Sequence, residues 1–207
     1  MPKQSYHHND LKAELIEKGL KILDEEGYDG FSLRKVAKAC NVSQTAPYRH
    51  FKNKDELIVA ISLKALQSFN RSLEHAVEKH PADPKSQLRE MGFAYIQFFV
   101  ENPEYMRLIF LSDTIQKVNS AGFIENSGTD NPLKHLGDGH PFATFQKTIE
   151  RYKTECTGEA VNQDELLLYC WGLVHGIAVL INTRGIPNRT DSLQLAKNIL
   201  WNDKFLT

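Results

Sequence analysis

Leu33-Arg34-Lys35-Val36-Ala37-Lys38-Ala39-Cys40-Asn41-Val42-Ser43-Gln44-Thr45-Ala46-Pro47-Tyr48-Arg49-His50-Phe51 is the stretch on which the fold turns. Leu33, Val36, Ala37 and Cys40 recur at i, i+3, i+4 and i+7, the period of one helix face. Ser32 precedes them as an N-cap. Asn41 then tolerates the left-handed backbone of a tight turn. Ser43 is placed to cap another short helix ending near Phe51. Helix, a four-residue turn from Cys40 to Ser43, and short helix is the spacing of a helix-turn-helix.

The same helical period extends in both directions. Upstream, Leu11, Leu15, Ile16, Gly19, Leu20 and Leu23 share one face, and Gly27 and Gly30 stop that helix. Downstream, Asn53 with Glu56 forms a capping box that opens a helix from Lys54 to about Lys79. Asp83-Pro84 and Asn102-Pro103 each read as a cap followed by proline at the first helical position. Residues 112–140 are polar and glycine-rich, with no sustained period, and read as a long loop. Helical patterning resumes from Pro141 to about Cys156. Asn162 with Glu165 opens a helix to Arg184, and Thr190 or Asp191 caps a last one to about Asn202. No segment alternates as a strand does. The expectation is an all-α chain of about nine helices: a three-helix unit over 1–53 containing the helix-turn-helix, then a helical bundle over 54–207.

Charge gives the first segment a purpose. The 207 residues carry a net charge of only −1, which argues against coating nucleic acid by bulk charge. Residues 31–54, however, hold Arg34, Lys35, Lys38, Arg49, Lys52 and Lys54 and no Asp or Glu, a local net of +6. Residues 1–30 carry −3 and residues 55–207 carry −4. In a helix-turn-helix the second helix enters the major groove while the first crosses the backbone. Phosphates demand Lys and Arg, and base edges demand directed donors and acceptors. Gln44, Thr45, Tyr48, Arg49 and His50 supply such groups. A small three-helix unit with a solvated basic face has the same pattern.

Other classes are excluded by what the chain lacks. Its three cysteines, Cys40, Cys156 and Cys170, are widely spaced, with no C-x-x-C pair, so neither a disulfide framework nor a cysteine zinc site is expected. A reducing, cytoplasmic setting follows as the default. Residues 1–10 have no apolar core, so no signal peptide is expected there. The longest apolar-rich run, 166–181, is 16 residues and contains His175 and two glycines, short of the roughly 20 that a membrane span needs. No phosphate loop or nucleophile motif points to an enzyme. His135 and His140 are five apart with no third ligand, so neither metal nor cofactor is expected.

The residues from Glu14 to Leu57 resemble the N-terminal domain of TetR-type (tetracycline-repressor-like) transcriptional regulators. The resemblance rests on Gly27-Tyr28-Asp29-Gly30-Phe31-Ser32-Leu33-Arg34-Lys35-Val36-Ala37, on Asn41-Val42-Ser43, and on Tyr48-Arg49-His50-Phe51-Lys52-Asn53-Lys54-Asp55-Glu56-Leu57. Trp171-Gly172-Leu173-Val174-His175-Gly176 is similar to the Trp-His-Gly motif of one class of C-terminal domains in that family. The resemblance implies that the third helix reads DNA through Gln44, Thr45, Tyr48, Arg49 and His50. It implies phosphate contact by Lys54, with Arg34 and Lys35 of the second helix near the backbone or groove. Asn41 departs from the usual turn glycine, and Pro47 replaces a branched apolar residue in the reading helix.

The helix over 164–184 is apolar nearly all round, and such a helix must be covered on both sides. One side can be its own bundle; the other needs a partner or a larger core. The resemblance implies a homodimer through the last two helices, placing Leu173, Ile177, Leu180, Ala196, Ile199 and Leu200 at the interface. Twofold symmetry then matches a palindromic operator. It also implies a partly apolar small-molecule effector, whose site would draw on Tyr95, Phe98, Phe99, Phe110, Phe145, Trp171 and His175. Effector binding would release the operator, as in a repressor. The competing reading is a small-molecule-binding dimer or an enzyme without DNA binding.

Overall fold

The computed structural model describes residues 11–114, 141–157, 161–183 and 189–202. Most of the expected 112–140 loop, with His135 and His140, lies outside the described residues. Every described element is helical: α1 Leu11–Gly30, α2 Leu33–Ala39, α3 Ala46–Arg49, α4 Lys54–Glu78 and α5 Pro84–Glu101. Then come α6 Pro103–Met106, continuing as a π turn Arg107–Leu111, and α7 Pro141–Tyr152, continuing as a π turn Lys153–Thr157. The last two are α8 Gln163–Asn182 and α9 Arg189–Trp201. Two compact units result. One takes the described parts of 1–65 and 104–132, the other those of 66–103 and 133–207.

The caps explain where helices begin. Ser32 Oγ accepts from the Lys35 amide at 3.3 Å, and Asp83 accepts from the Ser86 amide at 3.1 Å. Asn162 Oδ1 accepts from the amides of Asp164 and Glu165 at 2.8 and 3.2 Å. Asn53 Oδ1 accepts from the Glu56 amide at 2.9 Å, as a capping box requires. The return bond from Glu56 goes one residue further out, to the Lys52 amide at 2.5 Å.

In the first unit the apolar faces of α1, α2 and the start of α4 meet. Leu15, Leu20, Leu23, Phe31, Leu33, Val36, Cys40, Phe51, Leu57, Ile58, Ile61 and Leu108 form one buried cluster. Arg107 ties α6 to α1 through both oxygens of Asp24, at 2.5 and 2.6 Å. α1 is kinked at Gly27, where φ is 68° and ψ is −177°. Only glycine adopts that backbone without strain. A Cβ there would meet nothing within 4 Å, so the cost of any other residue is purely conformational. Gly27→Ala is expected to destabilise this unit by about 1–3 kcal/mol, measured by chemical denaturation. An unchanged midpoint would show that the kink relaxes freely.

In the second unit α5 is the central helix and packs against α7, α8 and α9. Gly92 lets α8 approach: a Cβ there would stand 3.2 Å from Val174 Cγ1. Phe69, Tyr95, Phe99, Phe145, Val174 and Ile181 are among the buried residues. Cys170 is also buried, and burial pushes its thiol up to about 11, so it stays protonated and inert.

Two expectations about the last helices need correction. Ala196 and Leu200 are 1% and 5% exposed; they face this unit's own core, with Leu200 lying beside Gly92, and cannot form an outer face. α8 extends to 20 residues and is long and apolar enough, by length and composition, to cross a membrane. Only 22% of its most apolar window is buried within the chain. One face, with Cys170, Val174, Ala178 and Ile181, is buried in the bundle. The opposite face shows Leu168, Tyr169 and Leu180 at 69%, 51% and 53% exposure, and Leu195 of α9 adds 49%. Gly172 and Gly176 lie between them, where an added Cβ would meet only open space. Leu173, Ile177 and Ile199 are intermediate in burial.

Candidate functional site

The turn after α2 forms as Asn41 allows. Its φ is 54°, and the Val42 amide closes the turn on the Ala37 carbonyl at 3.0 Å. The next helix is shorter and tighter than the spacing predicts. It is a 3-10 turn over Ala46–Arg49 rather than an α-helix capped by Ser43. Pro47 is the physical reason. It has no N–H to give to the Ser43 carbonyl, so that carbonyl takes the Ala46 amide instead, at 3.0 Å. The Ser43 hydroxyl pairs with the Thr45 hydroxyl at 3.2 Å rather than capping. Pro47 itself is buried. Gln44, Thr45, Tyr48 and Arg49 are therefore presented on a short exposed element, with Tyr48 54% exposed. His50 is half-buried, its ring 6.4 Å from that of Phe51.

α2 supplies cations beside this element. Arg34 and Lys38 are one turn apart and share a face. With Lys35, Asn41, Val42 and Gln44 they line a cleft of about 390 Å³. Among the described residues, Arg34, Lys38, Arg49 and Lys52 have no ion pair. Lys35 differs from expectation. Its ammonium pairs with Glu26 and donates to the Gly30 carbonyl at 2.8 Å. Its charge is thus neutralised at the C-terminal end of α1, where carbonyl groups favour a cation. Lys38, at i+4 from Arg34, is exposed and has no such pair among the described residues.

Lys54 begins α4 and is half-buried. Its Nζ donates to the Tyr28 carbonyl at 3.1 Å and lies 3.8 Å from the centre of the Tyr28 ring. The Tyr28 hydroxyl in turn donates to Asp55 Oδ1 at 2.8 Å. No spacing rule links Tyr28 to Lys54 in the sequence; the tertiary fold joins them.

In the second unit Tyr95, Trp171 and His175 come together. Trp171 Nε1 donates to the Tyr95 hydroxyl oxygen at 3.2 Å. That hydroxyl lies 2.9 Å from His175 Nδ1. The indole can only donate. Burial pushes the Tyr95 phenol well above its ordinary range and the His175 imidazolium below its own. A neutral phenol donating to a neutral Nδ1 pairs the indole N–H, the hydroxyl and Nδ1, and places the ring proton on Nε2. Tyr95 and His175, expected as polar ligand contacts, thus bond to each other. Phe99 and Phe145 are 0% and 4% exposed and behave as core. Phe98 is half-buried, with its ring 5.2 Å from Phe69 and from Phe99. Phe110 belongs to α6 in the first unit. Among the described residues no group of three or more His, Cys, Asp or Glu could hold a metal ion.

Residues 15–61 match the family described as bacterial regulatory proteins, tetR family. The HTH-type transcriptional regulator YobS of Bacillus subtilis (strain 168), itself uncharacterized, is 25% identical over 97 residues, covering 47% of this chain and 50% of that protein. The probable acrEF/envCD operon repressor of Escherichia coli (strain K12) is 30% identical over 98 residues, covering 47% of this chain and 44% of that protein. The chain thus spans about half the length of these curated relatives. A TetR family transcription regulator from Marinobacter aquaeolei VT8 shares the fold over 92% of this chain and 93% of its own, with a TM-score of 0.68 and 16% identity.

Proposed function

From a chain whose N-terminal domain is that of the tetR family of bacterial regulatory proteins, we propose a ligand-responsive transcriptional regulator that binds a palindromic operator as a homodimer. One observation carries the reading. Around the Asn41 turn, an acid-free segment exposes Arg34, Lys38, Arg49 and Lys52, none ion-paired among the described residues, beside directed polar groups on a short reading element. Phosphates would take the cations and Lys54. Gln44, Thr45, Tyr48 and Arg49 would face base edges or their flanking phosphates. His50 packs behind them.

The outward stripe of α8, with Tyr169, Gly172, Gly176 and Leu180, is read as the dimer face, joined by Leu168 and by Leu195 of α9. Small residues within an apolar stripe suit close approach of the same stripe from a second copy. A membrane is the less suitable cover, because one face of α8 is already built into the bundle. The second unit is read as the effector-sensing part, of the Trp-His-Gly class, with Trp171 and His175 organising its interior around Tyr95. It regulates rather than catalyses, in the cytoplasm, as a repressor that its effector releases.

The test is a titration against duplexes recovered from a random-sequence library. Affinity is expected to fall steeply with salt, with a slope of roughly −0.9 for each phosphate neutralised. Arg34→Ala and Lys38→Ala should each flatten that slope by about one such step, and Tyr48→Ala should weaken binding while the protein's mass in sedimentation stays unchanged. Failure to recover any duplex, or a flat salt dependence, would leave the reading without support and favour a ligand-binding dimer that does not read DNA.

A further inference from the structure

We propose that Tyr28 is a positioning residue for the DNA contact of Lys54, holding its ammonium in place before DNA arrives. The inference rests on the DNA-binding reading above. A lysine in the first turn of α4 stands at the positive end of the helix dipole, where cations are disfavoured. Lys54 is nevertheless held there, by three features of one residue. The Tyr28 carbonyl accepts from Nζ at 3.1 Å, the Tyr28 ring lies 3.8 Å from Nζ, and the phenol is itself anchored on Asp55 at 2.8 Å. Asp55 follows Lys54 on the same helix, so the ring and the ammonium are fixed to one element. The kink at Gly27 sets the direction of the chain as it enters Tyr28.

The chemistry leaves the contact competent. A lysine ammonium has three donors, and the Tyr28 carbonyl uses one. The ring face attracts the cation without removing its charge. Lys54 therefore keeps its full positive charge and two donors while losing its rotamer freedom in the free protein. A long flexible lysine otherwise loses that freedom only when DNA binds, at a cost to affinity. Lys35 makes the contrast: its partner is the carboxylate of Glu26, which cancels the charge. Tyr28 orders Lys54 without neutralising it.

The test is a double-mutant cycle on a duplex recovered with the unmodified protein. Lys54→Met should reduce the salt slope by about 0.9, the loss of one phosphate contact. Tyr28→Leu should weaken affinity about three- to tenfold, the range for ordering one long side chain on binding, with the salt slope unchanged. In the Lys54→Met background, Tyr28→Leu should have no further effect. Tyr28→Phe keeps the carbonyl and the ring and gives an intermediate loss, with a thermal midpoint close to that of the unmodified protein. Equal loss from Tyr28→Leu in both backgrounds would mean a structural role only and would overturn the proposal. If Tyr28→Leu does not fold, the same comparison is made with Tyr28→Phe, and equal or absent loss in the two backgrounds overturns it equally. Should Lys54→Met leave affinity and slope unchanged, the phosphate role of Lys54 falls, and the role of Tyr28 falls with it.

Discussion

Gly172→Arg combined with Leu180→Arg is expected to yield a folded monomer with little operator affinity. Both positions lie on the outward stripe of α8. Leu180 is 53% exposed, and a side chain at Gly172 would enter open space. The isolated chain therefore tolerates both changes, and arginine is a better helix former than glycine. In a dimer joined through this stripe, each change is felt twice by symmetry. Each lost leucine removes roughly 1.5–3 kcal/mol of burial, and each arginine forced between apolar helices adds a desolvation cost of several kcal/mol. The dimer dissociation constant should rise by about a thousandfold or more, equivalent to ~4 kcal/mol. Operator affinity should fall about a hundredfold, because the second half-site is no longer tethered to the first. Sedimentation and a binding titration read the two effects. A dimer of unchanged stability would move the interface elsewhere. The matching changes at Ala196 or Leu200 would test something different, since those residues are internal and would disrupt the fold.

Phe99→Ala is expected to destabilise the second unit by about 3–5 kcal/mol, the range for a fully buried aromatic. Phe99 is 0% exposed. Its ring centre lies 4.7 Å from that of Phe69, 5.1 Å from Tyr95 and 5.2 Å from Phe98. Its carbonyl accepts from Asn182 at 2.9 Å, which ties α5 to the end of α8. Removing the ring leaves a cavity that these helices can collapse only by moving α8, and it takes a packing neighbour from Tyr95, which is hydrogen-bonded to Trp171 and His175. At 2–4 °C per kcal/mol for a chain of this size, the melting temperature should drop by roughly 6–20 °C. A drop of only a degree or two would mean that Phe99 borders open space, as a ligand-lining residue would. Differential scanning calorimetry distinguishes the two.

The local rules reached the elements with little error. Ser32, Asn53, Asp83 and Asn162 cap where their spacing to the next amide requires, and Asn41 turns the chain because few other residues accept its backbone. The acid-free run of cations was visible because charge is a property of composition. Where the structure departs from these local rules, the deciding contacts are not local. Pro47 stands within the reading helix that the spacing predicts. Its absent N–H left the Ser43 carbonyl to an i+3 donor, and the whole element became 3-10. Lys35 was indistinguishable from Lys38 until Glu26 and the end of α1 were placed beside it.

The dimer and effector residues show the same division. α8, apolar all round, has no periodicity that marks inside from outside, and nothing local to α9 says whether the face carrying Ala196 and Leu200 meets this bundle or a second copy. Packing α5 against α8 and α9 through Gly92 made that choice. Tyr95 and His175 looked like ligand contacts because their polarity was legible and their pairing was not. By itself, the sequence determined the helices, their caps, the turn at Asn41 and the concentration of positive charge, all of which depend on neighbours within a few residues. Only the tertiary structure decided which cations are left unpaired and which apolar face is left uncovered among the described residues, and that Tyr28 holds Lys54. Those depend on groups that folding brings together across 9 residues for Lys35 and Glu26, 26 for Tyr28 and Lys54, and 83 where Asn182 of α8 meets Phe99 of α5.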